Sequence, residues 1–364
     1  MEASFTYDSA RFDVYAGTMC IFIGQTAMDY YRAHRYGGLG QPLFARDARQ
    51  AVASSNAHSN ILDVLSVDLR KYDILWPPEV PTVLVTDPKA TRNTSKVSYR
   101  LYSEAITAGM IIELERNVYI PSVEFHFLLS ARYLPLCQLV ELGYELCGCY
   151  SLGPYENPFA DRPDPLTTPL KLQHFIENHK GVKGSRTAMQ AVSRIASGSW
   201  SPMESKLATC MAMSSRQGGY EYGLPRCNHE IQLSSAETPL DGRHSFYIDL
   251  LFVHRDSHQK LHRGALEYDG SQHRSEQARG RDRAKTHVLE ARGIDIMHLA
   301  FEDINTFNKF DHQMKTFGRM IKVKRNLPSL DVIQARQRVY NTLFSKAGMA
   351  NPGGYQIAEV DEEG

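Results

Sequence analysis

Phe246-Tyr247-Ile248-Asp249-Leu250-Leu251-Phe252-Val253 is apolar at nearly every position, the pattern of a strand covered on both faces. Asp249 interrupts it. An ionised carboxylate in a covered strand is costly unless a cation or a set of donors meets it. A polar and basic connection, residues 254–264, is long enough for a hairpin loop and leads to Ala265-Leu266-Glu267-Tyr268-Asp269-Gly270. Side chains alternate along a strand, so Glu267 and Asp269 share one face while Leu266 and Tyr268 share the other. Antiparallel pairing of the two strands brings Asp249 beside Glu267. Carboxylates that converge on one point repel each other and raise their pKa values unless a divalent ion occupies the gap. Hard oxygen donors of this kind suit magnesium or manganese better than zinc.

Beyond Ser271-Gln272-His273 the sequence predicts a helix over Glu276 to Arg292, stopped by Gly293 as a C-terminal cap. Five basic residues, Arg274, Arg279, Arg281, Arg283 and Lys285, face two acidic ones, Glu276 and Asp282, across its first half. Positive charge concentrated beside a carboxylate cluster suits a phosphodiester held against a metal. The competing reading is structural: Asp249 and Glu267 as buried partners of Arg281 or Arg283 in a salt-bridge network. Ile294-Asp295-Ile296-Met297-His298-Leu299 reads as the next strand, and Phe301-Glu302-Asp303-Ile304 opens another helix.

Asp249, then Glu267-x-Asp269-Gly270-x-x-His273, then Arg281-Asp282 and Leu289-Glu290-Ala291-Arg292-Gly293-Ile294 closely resemble the Vsr-like branch of the PD-(D/E)XK nuclease superfamily, over roughly Pro202 to Asp303. The resemblance implies a restriction-endonuclease-like core, a mixed sheet flanked by helices. It also implies metal binding by Asp249, Glu267 and Asp269, with His273 assisting at the scissile phosphate. The position usually held by Lys is Asp269 here, which leaves open the group that orients the attacking water. Ser201-Pro202-Met203-Glu204 has two readings. It is a capping box, with Ser201 as cap and Glu204 reaching back, worth about 1 kcal/mol. In the family that it resembles, a Glu on this helix approaches the metal, which makes Glu204 a catalytic candidate. His229 reads as an edge-strand histidine.

A chain of 364 residues points to two or three domains, and 42% hydrophobic content is enough to build their cores. With 41 basic and 41 acidic residues, nucleic-acid contact has to come from a local patch. Six scattered cysteines lack zinc-site spacing and read as reduced thiols of a cytoplasmic protein. No segment is apolar for long enough to span a membrane.

Along the chain, Cys20-Ile21-Phe22-Ile23 leads into a short amphipathic helix, and Val80 to Val85, Ser98 to Tyr102, Met110 to Leu114 and Val118 to Ile120 suggest a small sheet. Two helices come next, from Pro121-Ser122-Val123-Glu124 and from Leu136 to Cys149. This half resembles the AbiEi antitoxin-regulators, which implies a toxin as partner. Five prolines between Leu152 and Leu170 mark a linker.

The expectation is an α/β (α+β) protein with four parts: an N-terminal α+β recognition or regulatory domain over residues 1–153, a linker over 154–170, a nuclease domain with C-terminal helices over 171–345, and an acidic tail over 346–364. The expected function is magnesium- or manganese-dependent endonuclease cleavage of DNA. The alternative is a DNA-binding regulator or antitoxin, in a toxin-antitoxin or phage-defence system, that keeps a nuclease fold without cutting.

Overall fold

The N-terminal sheet grows around Cys20-Ile21-Phe22-Ile23, four residues buried throughout that form strand β1 (Cys20–Ile23). The computed structural model describes residues 19–36, 60–75, 77–92, 94–107, 109–152, 163–237, 242, 244–269 and 276–344, with the backbone alone for Tyr36 and residues 276–282. Two mixed sheets flanked by helices make it an α+β protein. It divides into two compact units, Met1–Tyr30 with Gln41–Ser122, and Tyr31–Gly40 with Val123–Gly364.

After β1 come α1 (Gln25–Tyr36), α2 (Ile61–Ser66), β2 (Thr82–Val85), β3 (Ser98–Leu101), β4 (Ile111–Glu115) and β5 (Val118–Pro121). The first sheet has the order β3-β2-β1-β5-β4. The short run before α1 is therefore its central strand, antiparallel to β2 and parallel to β5. Coverage on both faces explains why it carries no polar alternation.

The second unit contains α3 (Val123–Ser130), α4 (Leu136–Cys147), α5 (Pro169–Asn178), α6 (Ser185–Val192) and α7 (Pro202–Ala212). Strands β6 (Arg226–Gln232), β7 (Ser245–Arg255) and β8 (Leu261–Asp269) are next, then α8 (Glu276–Ala291), β9 (Ile294–Ala300), α9 (Phe301–Ile304), α10 (Phe307–Met320) and α11 (Leu330–Phe344). The sequence places α3 and α4 ahead of the proline-rich stretch, in the expected N-terminal domain. They pack instead with the second unit, and the reason is visible in α4. Glu141 and Glu145 are buried there, and each needs a cation. Lys206 of α7 meets Glu141 at 2.5 Å, and Arg32 grips both oxygens of Glu145 at 2.7 and 2.9 Å.

The second sheet has the order β6-β7-β8-β9. β6, β7 and β8 are antiparallel, and α8 carries the chain back so that β9 runs parallel to β8. One face packs Leu251 and Ala265 against Leu289 of α8. The other sets Phe252 edge-on to Phe317 of α10, at 5.4 Å between ring centroids, and Phe310 of the same helix is tilted against Tyr340 and Phe344, which stack on each other. The β7–β8 connection is shorter than the hairpin loop read from the sequence. Asp256 accepts from the backbone N–H groups of His258 and Lys260 and contacts the His262 ring, closing a tight turn that lets both strands extend. Gly293 ends α8 in the left-handed region, φ +70, as its capping position requires. Among the described residues, no helix is long and apolar enough to cross a membrane.

Gly264 lets α10 approach the sheet closely. A Cβ on it would collide with Ile321 Cγ2 and come within 3.1 Å of Phe317 Cζ. Gly264→Ala is therefore expected to lower the unfolding free energy by about 1–3 kcal/mol, read from the urea midpoint. An unchanged midpoint would show that α10 adjusts freely.

Candidate functional site

The site begins where the second sheet loses its ladder. β6 and β7 keep one register on either side of Asn228 and Asp249, with Cys227 opposite Leu250 and His229 opposite Ile248, but the pairing skips the rung between. Asn228 stands there in the left-handed region, φ +48. On the other side of Asp249, the β7–β8 ladder stops at Leu250 opposite Leu266. Beyond it, the Asp249 N–H donates to Glu267 Oε1 at 3.3 Å, and the Tyr268 N–H donates to Asp249 Oδ2 at 3.0 Å. Carboxylates have taken the places that backbone carbonyls hold elsewhere in the ladder. Glu267 in turn lies opposite His298 of β9. One rung thus runs Asn228, Asp249, Glu267, His298 across the sheet.

A third carboxylate comes from α7. Ser201 caps that helix, its hydroxyl accepting from the Glu204 N–H at 3.2 Å and donating to Glu204 Oε1 at 3.0 Å. Glu204 Oε2 accepts from the Trp200 N–H at 2.8 Å and from Asn228 Nδ2 at 2.7 Å. Glu204 is 6% exposed. The two readings of Ser201-Pro202-Met203-Glu204 are compatible, because the box is satisfied while the same carboxyl lies close enough to feel the charge on Asp249.

Burial, and after it the charge on Asp249, pushes the Glu204 carboxyl up to about 7, against the donors from Trp200, Asn228 and Ser201. The same two causes push Glu267 up to about 7, against the pull of Lys285. Lys285 descends from α8, with Nζ 2.5 Å from Glu267 Oε2 and both side chains largely buried. Its place in the run of basic residues gave it to the phosphate face. The structure pairs it with Glu267.

The other expected site residues are more dispersed. Asp269 ends β8, half-buried and opposite Ala300. Burial, then the charges of Glu302 and Asp269, hold the Tyr268 phenol above its ordinary range. Arg283 is exposed. His273 and Arg274 lie outside the described residues, as do the side chains of Arg279 and Arg281. His229, on β6, has its imidazole pushed down by burial and by Arg226. Among the described residues, no three His, Cys, Asp or Glu side chains stand in an arrangement that could already hold a metal ion. The donors that would serve are the hard oxygens of Asp249 and Glu267, and a cation binding to both would have to draw Glu267 from Lys285. Sequence reasoning did not single out Asn228 or His298. The signal for Asn228 was a residue disfavoured in strands, but tolerant of left-handed backbone, inside a strand run.

Residues 234–316 match a family model described as "Protein of unknown function (DUF2726)". That stretch carries Asp249, Glu267 and Lys285 but ends short of Glu204 and Asn228 on its N-terminal side. No curated protein and no solved structure matches the chain.

Carboxyls whose folded-state pKa is raised contribute stability that is present below the ordinary carboxylate range and lost as pH rises through about 7. Asp249→Asn removes the shared repulsion and keeps an acceptor for the Tyr268 N–H. Without added metal it is expected to raise the melting temperature by about 2 °C or more at pH 8, and by much less at pH 5, where Glu204 and Glu267 are already protonated. A variant that melts below the wild type at pH 8 would contradict this.

Proposed function

We propose that the second unit is a divalent-cation-dependent endonuclease that hydrolyses phosphodiester bonds in DNA. The observation that carries this reading is the convergence of Glu204, Asp249 and Glu267 around a rung from which the backbone ladder has been withdrawn. Acidic groups with raised pKa values gathered at one point mark functional sites more often than scaffolds.

In this reading Asp249 and Glu267 hold magnesium or manganese, with Asp269 at the end of β8 as a further oxygen donor. The cation's contribution is Lewis-acid stabilisation of the charge that develops on phosphate. Glu204, fixed by four donors, keeps its carboxyl behind Asp249 and adjusts the charge of the rung. Lys285 brings an ammonium group to the carboxylate pair that lacks a lysine at position 269. With Glu267 engaged by a cation, the Lys285 ammonium would be the group placed to orient the attacking water. Arg274, Arg279, Arg281 and Arg283 are the proposed contacts to the phosphate backbone, with His273 as proton donor or positioning group at the scissile phosphate.

A DNA-binding regulator that has lost cleavage is the second reading, with a toxin as its partner. The pairing of Glu267 with Lys285 favours it, because a neutralised carboxylate has less call for a cation. One assay separates the two. Purified protein should nick or cut plasmid DNA with magnesium or manganese, and Asp249→Ala and Glu267→Gln should each lower the rate about 100-fold or more. Equal inertness of wild type and Asp249→Ala across metals, pH values and substrates, together with salt-sensitive duplex binding that survives Glu267→Gln, would establish the regulator instead.

A further inference from the structure

Glu204 is held by a residue that neither charge nor spacing announces. Asn228 stands in β6 at the rung that the pairing skips, where the register on either side sets it against Asp249, and is 9% exposed. Its Nδ2 donates to Glu204 Oε2 at 2.7 Å and to the Gly198 carbonyl at 2.9 Å. Two acceptors on one nitrogen fix the amide's orientation, since turning it over would set its oxygen against both. Its own Oδ1 is buried without a hydrogen-bond partner among the described residues.

Asn228 therefore carries two unfavourable features. Its backbone sits in the left-handed region, which is unfavourable for a residue with a Cβ. A buried acceptor left without a donor has lost its hydration with nothing in return. Glycine would remove both. What only the side chain supplies is the bond to Glu204. The other donors to that carboxyl, the Trp200 N–H and the hydroxyls of Ser199 and Ser201, come from the segment that leads into α7. Among the described residues, Asn228 is the donor that comes from the sheet.

We propose that Asn228 is a positioning residue, whose side-chain amide pins the Glu204 carboxyl to the rung that carries Asp249. This rests on Glu204 being part of the candidate site. The left-handed backbone at Asn228 has the same origin: it swings the amide off the ladder and onto Glu204 of α7.

The test is a double-mutant cycle of Asn228→Gly and Glu204→Gln, with Asn228→Asp as a companion. Glycine keeps the backbone and relieves the orphaned oxygen, so the fold is retained. Aspartate keeps the shape but sets an acceptor against Glu204. Plasmid cleavage with manganese is expected to show kcat lowered at least tenfold in Asn228→Gly and in Asn228→Asp, with KM within twofold. The double variant should be no slower than Glu204→Gln alone. In wild type selectively labelled with 15N-asparagine, one Asn228 side-chain amide proton should resonate downfield and shift in Glu204→Gln. Wild-type kcat in Asn228→Gly, additive losses in the cycle, or amide signals indifferent to Glu204→Gln would each overturn the inference. If the wild type cleaves nothing, the nuclease reading falls by itself, and the amide signals alone decide for or against Asn228.

Discussion

A carboxylate placed within a covered strand has to be met by donors, and Asp249 is met by opening the sheet. Its N–H turns to Glu267 and its own oxygen takes the Tyr268 N–H, where an uninterrupted ladder would have used carbonyls. Across β6 the rung is skipped as well. The sheet therefore has a gap in its backbone pairing at the point where Asp249 and Glu267 meet. The remaining features of the second unit answer to that gap: α7 brings Glu204 to it, α8 brings Lys285, and Asn228 gives up regular strand geometry beside it.

Two acids at this rung are pushed up in spite of their donors. Burial, and after it the charge on Asp249, holds Glu204 and Glu267 up, although an ammonium group serves Glu267. Elsewhere in the same unit, buried acids are matched one to one, Glu141 with Lys206 and Glu145 with Arg32. Those pairs hold α4 in place, and removal of either partner would leave a buried charge exposed to its full desolvation cost. Burial pushes Glu141 up as well, in spite of Lys206, so what sets the rung apart is that a second acid, Asp249, is the next-largest push on both Glu204 and Glu267.

Much of the second unit was legible in the sequence. Alternation placed Glu267 and Asp269 on one face, and the hairpin brought Asp249 beside Glu267. Gly293 marked the end of α8. The capping box at Ser201 was also readable, and it leaves Glu204 an oxygen to spare. A carboxyl has two oxygens, and here Oε1 serves the Ser201 hydroxyl while Oε2 takes Trp200 and Asn228. Features set by three-dimensional meeting escaped. Lys285 was visible as positive charge, but only the crossover of α8 decides that it lands on Glu267. β1 is too short to show a period, and its four buried residues read as the prelude to a helix. The prolines between Leu152 and Leu170 drew the domain boundary to themselves, while the buried acids of α4 tie that helix to the second unit.

The central claim is that the opened rung exists to receive a divalent cation. The most direct measurement is an anomalous difference map from crystals soaked in manganese. The expected result is one peak at about 2.1 Å from carboxylate oxygens of both Asp249 and Glu267, with Lys285 drawn off Glu267. A map without a peak there, with the Lys285 ammonium still seated on Glu267, would contradict it.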